Sequence, residues 1–324
     1  MGIAIRLTQT GGPDVLQVEP IEKARPGAGE VWIEQDAIGV NYLDVTQRNG
    51  AVPLPLPSGL GLEGAGRVAA IGAGVANVAI GDRVAYILGP MGSYASGRLY
   101  PAQRLVRLPG GLSAEHAATV LFKGITAHYL LHSTYAVGPG TIVLLYGVAG
   151  ALGQIMAPWA KSLGAFVIGV VSKEASVARA QAVGCDAVLV WGAGDLPAEV
   201  AKLTDGAKAH VVYDGIGKLT FAASLDCLRP RGLMVSLGAS SGAPDPVAVN
   251  TLNAKGSLFL TRPGLGVHAT ELTEYRQRAD AVFEAVTAGV IKPAIWKVFS
   301  LRDAAAAHAA LEGGQSAGAI LLKP

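Results

Sequence analysis

The residues whose spacing most clearly suggests chemistry are Gly147, Gly150 and Gly153, in the run Tyr146-Gly147-Val148-Ala149-Gly150-Ala151-Leu152-Gly153. A glycine-rich turn between a strand and a helix lets backbone N–H groups approach a pyrophosphate at the positive end of the helix. The spacing departs from the standard Gly-x-Gly-x-x-Gly, so a tight turn with close packing is the competing explanation. The next apolar run ends Val170-Val171-Ser172-Lys173. A site for an unphosphorylated ribose wants Asp or Glu there, whereas Ser172 and Lys173 suit a 2′-phosphate. Glu174, one position on, pulls the other way.

Two other patterns do not support chemistry. Gly238-Ala239-Ser240-Ser241-Gly242 imitates a hydrolase nucleophile elbow, but Ala243-Pro244-Asp245-Pro246 cannot open the helix such an elbow requires. It reads better as a strand-end loop. His128 and His132, four apart, imitate half a metal site, but no Glu follows His128 and no third ligand presents itself. They read as helix-surface histidines.

The elements that must position these residues follow from composition and pattern. With 324 residues, 51% of them apolar and 15% charged, the chain can build two cores and is not disordered. A net charge of +2 without basic runs argues against a nucleic-acid surface. Cys185 and Cys227 cannot form a disulfide framework, which favours a reduced, cytoplasmic protein. The start, Met1-Gly2-Ile3-Ala4-Ile5-Arg6, lacks the pattern of a signal peptide, and Arg6 stands where myristoylation wants Ser or Thr. Thr141 to Ala160 carries no charge, but glycines and Pro158 interrupt it, so no membrane span is expected.

Short β-rich runs, Ile3–Leu7, Val15–Val18, Glu30–Val40, Gly66–Ile71 and Gly81–Ile87, predict an irregular β region. A helix is expected over Gly124–Tyr135, and strands and helices then alternate from Thr141 to Thr261. That alternation predicts a parallel, doubly wound sheet of Rossmann type. A long helix, Thr270–Ala288, and a shorter one, Leu301–Leu311 opened at Ser300, precede a final strand at Leu321-Leu322. The fold class is therefore α/β: a Rossmann-type domain over 123–263 and a discontinuous, mainly β catalytic domain over 1–122 and 264–324. The apolar run Ser257-Leu258-Phe259-Leu260 reads as a sheet edge that two-fold pairing would cover, which points to a homodimer.

Several segments together carry a family resemblance. They are Gly39-Val40-Asn41-Tyr42-Leu43-Asp44 with Arg48 and Gly50, Pro57-Ser58-Gly59, Glu63-Gly64-Ala65-Gly66, Gly81-Asp82-Arg83-Val84, Lys123-Gly124-Ile125-Thr126-Ala127, Val212-Tyr213-Asp214 and Thr261-Arg262-Pro263. Across essentially the whole length, the chain resembles the zinc-free quinone oxidoreductases, the zeta-crystallin-like branch of the medium-chain dehydrogenases/reductases. The zinc alcohol dehydrogenases carry Cys at the position resembling Asn41 and His at that of Leu62, and an amide and a leucine cannot replace those ligands. The four-cysteine lobe of those relatives is absent too.

The resemblance implies reduction of a quinone or conjugated enone by NADPH, with NADH the alternative cofactor, and a homodimer with a GroES-like catalytic domain. A zinc-free alcohol or aldehyde reductase, and an NADPH-binding protein without turnover, are the competing readings. The nicotinamide is expected in the cleft between the domains, with Asn41, Asp44, Lys123 and Thr126 as catalytic residues. Tyr42, Leu43, Thr46 and Tyr129 are expected around the substrate. For the cofactor the resemblance implies Gly147, Ala149, Gly150, Ala151, Leu152 and Gly153 at the pyrophosphate. Ser172, Lys173, Ser176 and Trp191 fall at the adenosine end, and Gly215, Gly238, Ser240, Thr261 and Arg262 along the groove. Bland alternatives are packing for Tyr129 and an i,i+4 ion pair for Asp44 with Arg48. Ser176, Trp191 and Gly314 stand where relatives often have Lys, Tyr and Arg, so a modest NADPH preference is expected; Thr46 stands where they have another Tyr, so the substrate pocket lacks that phenol as a proton donor.

Overall fold

The computed structural model describes residues 2–324, so Met1, the first residue of the predicted catalytic domain, lies outside the described residues. The chain divides into two compact units. One holds the residues up to Lys123 together with Glu271–Phe283 and Pro293–Pro324; the other holds Gly124–Thr270 and Glu284–Lys292.

The second unit is built on a six-stranded sheet whose strands are all parallel. Their spatial order is Ala187–Val190, Phe166–Val171, Ile142–Tyr146, Ala209–Asp214, Leu228–Ser236 and Phe259–Thr261. The order runs outward in both directions from the first strand, Ile142–Tyr146, which is the doubly wound arrangement that leaves a crevice where the winding reverses. The central strands are continuous apolar runs because both faces are covered. Their core includes Leu144, Ile168, Val212 and Met234, all fully buried.

The uncharged stretch from Thr141 resolves into the strand Ile142–Tyr146 and the helix Gly153–Ser162. No helix of the described residues is long and apolar enough to cross a membrane.

The first unit is mainly β. A seven-stranded sheet centres on Glu30–Val40, which pairs antiparallel with Glu63–Ile71, Gly97–Pro101 and the C-terminal strand Ala319–Lys323. A three-stranded sheet places Gly2–Leu7 between Gln17–Ile21 and Ser58–Gly59. The tail returns to this unit through its strand and through the helix Ala304–Glu312, whose Ala304 and Ala307 join the core of Ile5, Leu7, Ile38 and Tyr94.

Several local expectations are corrected. The helix expected at Gly124 runs from Ala114 to Tyr129 and continues as a π-turn over Leu130–Thr134. It is apolar nearly all round, with Ala117, Val120, Leu121 and Ile125 all buried, so no amphipathic period marks its first half. Its start is signalled only by Ser113, whose Oγ accepts the His116 N–H at 3.1 Å. The predicted strand Val15–Val18 is a 3₁₀ turn, Pro13–Val15, followed by the strand Gln17–Ile21.

Candidate active site

The candidate cofactor residues of the second unit occupy the carboxyl ends of its parallel strands. The glycine turn follows Ile142–Tyr146, Ser172 and Lys173 follow Phe166–Val171, and Trp191 follows Ala187–Val190. Gly215 follows Ala209–Asp214, Gly238 lies just past Leu228–Ser236, and Arg262 follows Phe259–Thr261. In open parallel sheets this is the edge at which ligands bind.

Close packing requires glycine at the turn. A Cβ on Gly153 would lie 2.4 Å from Val148 Cα and 2.6 Å from the Gly147 carbonyl oxygen, closer than atoms can pack. The turn therefore folds tightly on itself and brings the amino end of the helix Gly153–Ser162 to the strand edge, with the Gln154 amide donating to the Gly150 carbonyl and the Ile155 and Met156 amides to the Leu152 carbonyl. Ser172, Lys173 and Glu174 are exposed beside it, while Ser176 is buried and Trp191 packs edge-on against Tyr146.

The other strand-end loops are joined to each other. Buried Asp214 accepts hydrogen bonds from the Ile216 and Gly217 amides and from the Thr220 and Ser224 hydroxyls. Ser241 donates to the Ile216 carbonyl at 2.8 Å and accepts from the Leu219 amide at 3.1 Å. The next helix after the Gly238–Gly242 run begins only at Val249, so the arrangement is a loop clasp and not a nucleophile elbow. Ser240 is exposed on it, Thr261 is half-buried, and Arg262 reaches back to Ser236 Oγ at 3.3 Å.

In the first unit the structure gathers Asn41, Asp44 and Lys123 with Glu63, a residue the sequence suggested only as a neighbour of the missing ligands. Asn41 closes the strand Glu30–Val40 and opens the helix Tyr42–Arg48. Its side-chain N–H donates to Glu63 Oε2 at 2.9 Å, and its Oδ1 accepts from Lys123 Nζ at 2.8 Å. Lys123 Nζ lies 3.5 Å from Glu63 Oε2, and Glu63 Oε1 accepts the Phe122 amide at 2.8 Å. Glycine at position 39 makes this possible, since a Cβ there would sit 2.2 Å from Glu63 Oε2.

The helix Tyr42–Arg48 begins with a second carboxylate. Asp44 Oδ2 accepts the Asn41 backbone N–H at 2.9 Å and the Tyr94 hydroxyl at 3.0 Å. Burial raises Asp44 to about 7, against the pull of those two donors, and the nearby Glu63 charge adds to the rise. Burial likewise raises Glu63, opposed first by the Lys123 charge and then by the Asn41 amide. Two buried carboxyl groups thus share one ammonium, whose side chain is 10% exposed. This cluster can present a fixed cation and an amide to an electron-rich oxygen.

Zinc fits this cluster poorly. Among the described residues no group of three or more His, Cys, Asp or Glu side chains could hold a metal ion. At Asn41 and Glu63 the Lys123 ammonium already occupies the oxygen atoms, and its charge opposes a second cation.

Comparison with known proteins matches both units. The zinc-binding dehydrogenase family model covers residues 151–263, and the alcohol dehydrogenase GroES-like domain model covers 27–110. The chain is 42% identical to a 2-haloacrylate reductase of a Burkholderia species, over 100% of this chain and 99% of that protein. It is 40% identical to quinone oxidoreductase 1 of Escherichia coli over the full length of both. The crystal structure of the Escherichia coli quinone oxidoreductase complexed with NADPH superposes with a TM-score of 0.95 at 40% identity, covering 99% of this chain and 100% of that one. The chain belongs to the quinone oxidoreductase branch of the medium-chain dehydrogenases/reductases.

The remaining site residues expected for this family are placed as follows. Tyr42 is 42% exposed at the start of its helix, beside half-buried Leu43. Thr46 spends its hydroxyl on the Leu43 carbonyl at 2.8 Å. Thr126 is half-buried on the helix that carries Lys123. Tyr129 is buried and stacks on His268 with ring centroids 4.2 Å apart. His128 and His132 pack against Trp159, the first half-buried and the second exposed. The i,i+4 ion pair between Asp44 and Arg48 does not form. Arg48 instead makes a bidentate pair with Glu312 at 2.7 and 2.8 Å, because the C-terminal helix brings that carboxylate to it. Tyr94, His308 and Glu312 were not legible, since each lies in an unremarkable local sequence and meets its partners only in the folded unit.

Proposed function

We propose that the protein reduces a quinone or a conjugated enone with NADPH, without zinc. The support is the cation that Asn41 and Glu63 hold at Lys123 in a family otherwise related to zinc dehydrogenases. NADPH use is supported by the strand-end edge with its tight glycine turn, by exposed Ser172 and Lys173, and by the NADPH complex of the similar Escherichia coli enzyme. When bound, the nicotinamide supplies the hydride. The chain's task is then orientation, exclusion of water and stabilisation of charge.

Lys123 and Asn41 offer donors to the acceptor oxygen as it gains negative charge, and Glu63 holds the ammonium in place. A quinone or enone needs less help than a simple aldehyde, because its charge spreads over a conjugated system. The similarity to a 2-haloacrylate reductase supports an activated carbon–carbon double bond as an alternative acceptor within the same chemistry. NADPH consumption against quinones, enones, 2-haloacrylates and aldehydes tests the reading. Turnover of quinones or enones is expected. Turnover of aldehydes alone, or cofactor binding without turnover, would overturn it. Elemental analysis is expected to show no stoichiometric zinc, and one tightly held zinc per chain would overturn the metal-free reading.

We further propose a homodimer in the cytoplasm. The edge strand Phe259–Thr261 exposes Phe259 at 61%, and pairing with a second copy would cover it. Both cysteines are free, one half-buried and one buried, which suits a reducing compartment. Light scattering at micromolar protein is expected to give twice the chain mass.

A further inference from the structure

A buried hydrogen-bonded chain leads from the C-terminal helix to Asp44, and none of its members beyond Asp44 has a part in the reading above. Tyr94, His308 and Asp44 are all 0% exposed, and Arg48 is 1% exposed. The direction of the chain is fixed by chemistry. Arg48 can only donate, so His308 Nδ1, 3.4 Å from Arg48 Nη1, accepts. The single proton of the neutral ring then sits on Nε2, which donates to the Tyr94 oxygen at 3.0 Å. The Tyr94 hydroxyl is left to donate to Asp44 Oδ2. Burial and the Arg48 charge lower His308 to about 4, which keeps the ring neutral as this requires.

Oδ2 therefore holds two donors, the Tyr94 hydroxyl and the Asn41 amide, while the buried Oδ1 has no partner among the described residues. We propose that Tyr94 and His308 are positioning residues: they commit Oδ2 to accepting, confine the Asp44 proton to Oδ1, and so hold Asn41 in the orientation that presents Lys123. The charged and titratable groups facing Asp44 are Glu63 and Lys123 from one side, and Tyr94, His308 and Arg48 from the other. The kinetic part of this inference rests on the proposed quinone reduction; the proton placement does not.

The test is a titration of the full chain carrying ¹³Cγ-labelled aspartate, with Asp44 assigned by its loss in Asp44→Asn. In the wild type Asp44 is expected to titrate near 7. Tyr94→Phe removes a donor to the charged form and is expected to raise the midpoint by about one unit. His308→Leu is expected to raise it less, His308→Gln to sit nearer the wild type, and the double variant with Tyr94→Phe to add nothing beyond Tyr94→Phe alone. Tyr100→Phe, a buried tyrosine that bonds the Ile87 and Leu88 carbonyls, is expected to leave it unmoved.

In the active enzyme, Tyr94→Phe is expected to lower kcat and move its pH profile with the titration, leaving KM for NADPH unchanged. An Asp44 midpoint in the ordinary carboxylate range, or one that Tyr94→Phe does not move, would overturn the inference. Should Tyr94→Phe fail to fold, ¹⁵N signals of wild-type His308 decide: the neutral Nε2–H tautomer between pH 5.5 and 8 supports it, and any other form overturns it. Quinone inactivity with the expected titration would refute the proposed function alone.

Discussion

Removing either Asp44 or His308 is expected to reveal a pH dependence of stability that the two groups conceal in the intact protein. Asp44 goes from 3.8 to about 7 on folding, so between those values the folded state keeps a proton that the unfolded state has released. Stability from this group therefore falls as pH rises through that window, by roughly 4 kcal/mol at 1.4 kcal/mol per unit. His308 goes the other way, from 6.5 to about 4, so the unfolded state binds a proton that the folded ring refuses. Its effect is a rise in stability between pH 4 and 6.5 of about 3 kcal/mol. The two slopes nearly cancel up to pH 6.5.

Asp44→Asn deletes the falling part, so its stability relative to wild type is expected to climb by about 4 kcal/mol from pH 4 to 7. His308→Gln deletes the rising part, so the wild type is expected to gain on it by about 3 kcal/mol up to pH 6.5. Glu63, also raised by burial, contributes equally to the wild type and His308→Gln and drops out of that difference. Urea unfolding at pH 4.5, 5.5, 6.5 and 7.5 measures this, with amide exchange of the strand Glu30–Val40 reporting on the first unit by itself. Differences that stay constant with pH in both variants would refute the reasoning.

Lys123→Met leaves the buried Glu63 carboxylate without its cation, which costs about 3–5 kcal/mol at neutral pH and less in acid, where Glu63 takes a proton. Thermal melts at two pH values check the stability, and quinone turnover is expected to fall by about a hundredfold or more. Gly153→Ala drives a methyl into Val148 and the Gly147 carbonyl, so a loss of about 1–3 kcal/mol is expected, with at least about tenfold weaker NADPH binding by calorimetry. Lys173→Ala is expected to raise KM for NADPH by roughly tenfold and barely affect NADH. Equal loss with both cofactors would mean that Lys173 holds its loop and does not read a 2′-phosphate.

Sequence alone determined the alternation of parallel strands and helices in the second unit, because burial on both faces of a parallel strand leaves a local signature. Phe166–Val171 and Ala187–Val190 are read from uninterrupted apolar runs, and Gly147 to Gly153 from the turn between such a run and a helix. Where that signature fails, so does the reading. The strands Gly97–Pro101 and Ile295–Ser300 and the helix Val249–Ala254 mix polar and apolar residues without a clear period, and their places are set by the neighbours they pair with or pack on.

The candidate site divides in the same way. Asn41, Asp44 and Lys123 stand in segments that carry the family resemblance, so their standing as candidates was legible. Their geometry was not. Asp44 and Arg48 have ideal helical spacing for an ion pair, yet Arg48 bonds Glu312, 264 residues away in the chain, and Asp44 bonds Tyr94, 50 residues away. Local spacing states which partners a side chain can reach within its own helix. Which one it takes is decided where desolvation makes the best hydrogen-bonded arrangement far more favourable than the nearest one, and only the folded unit creates that environment.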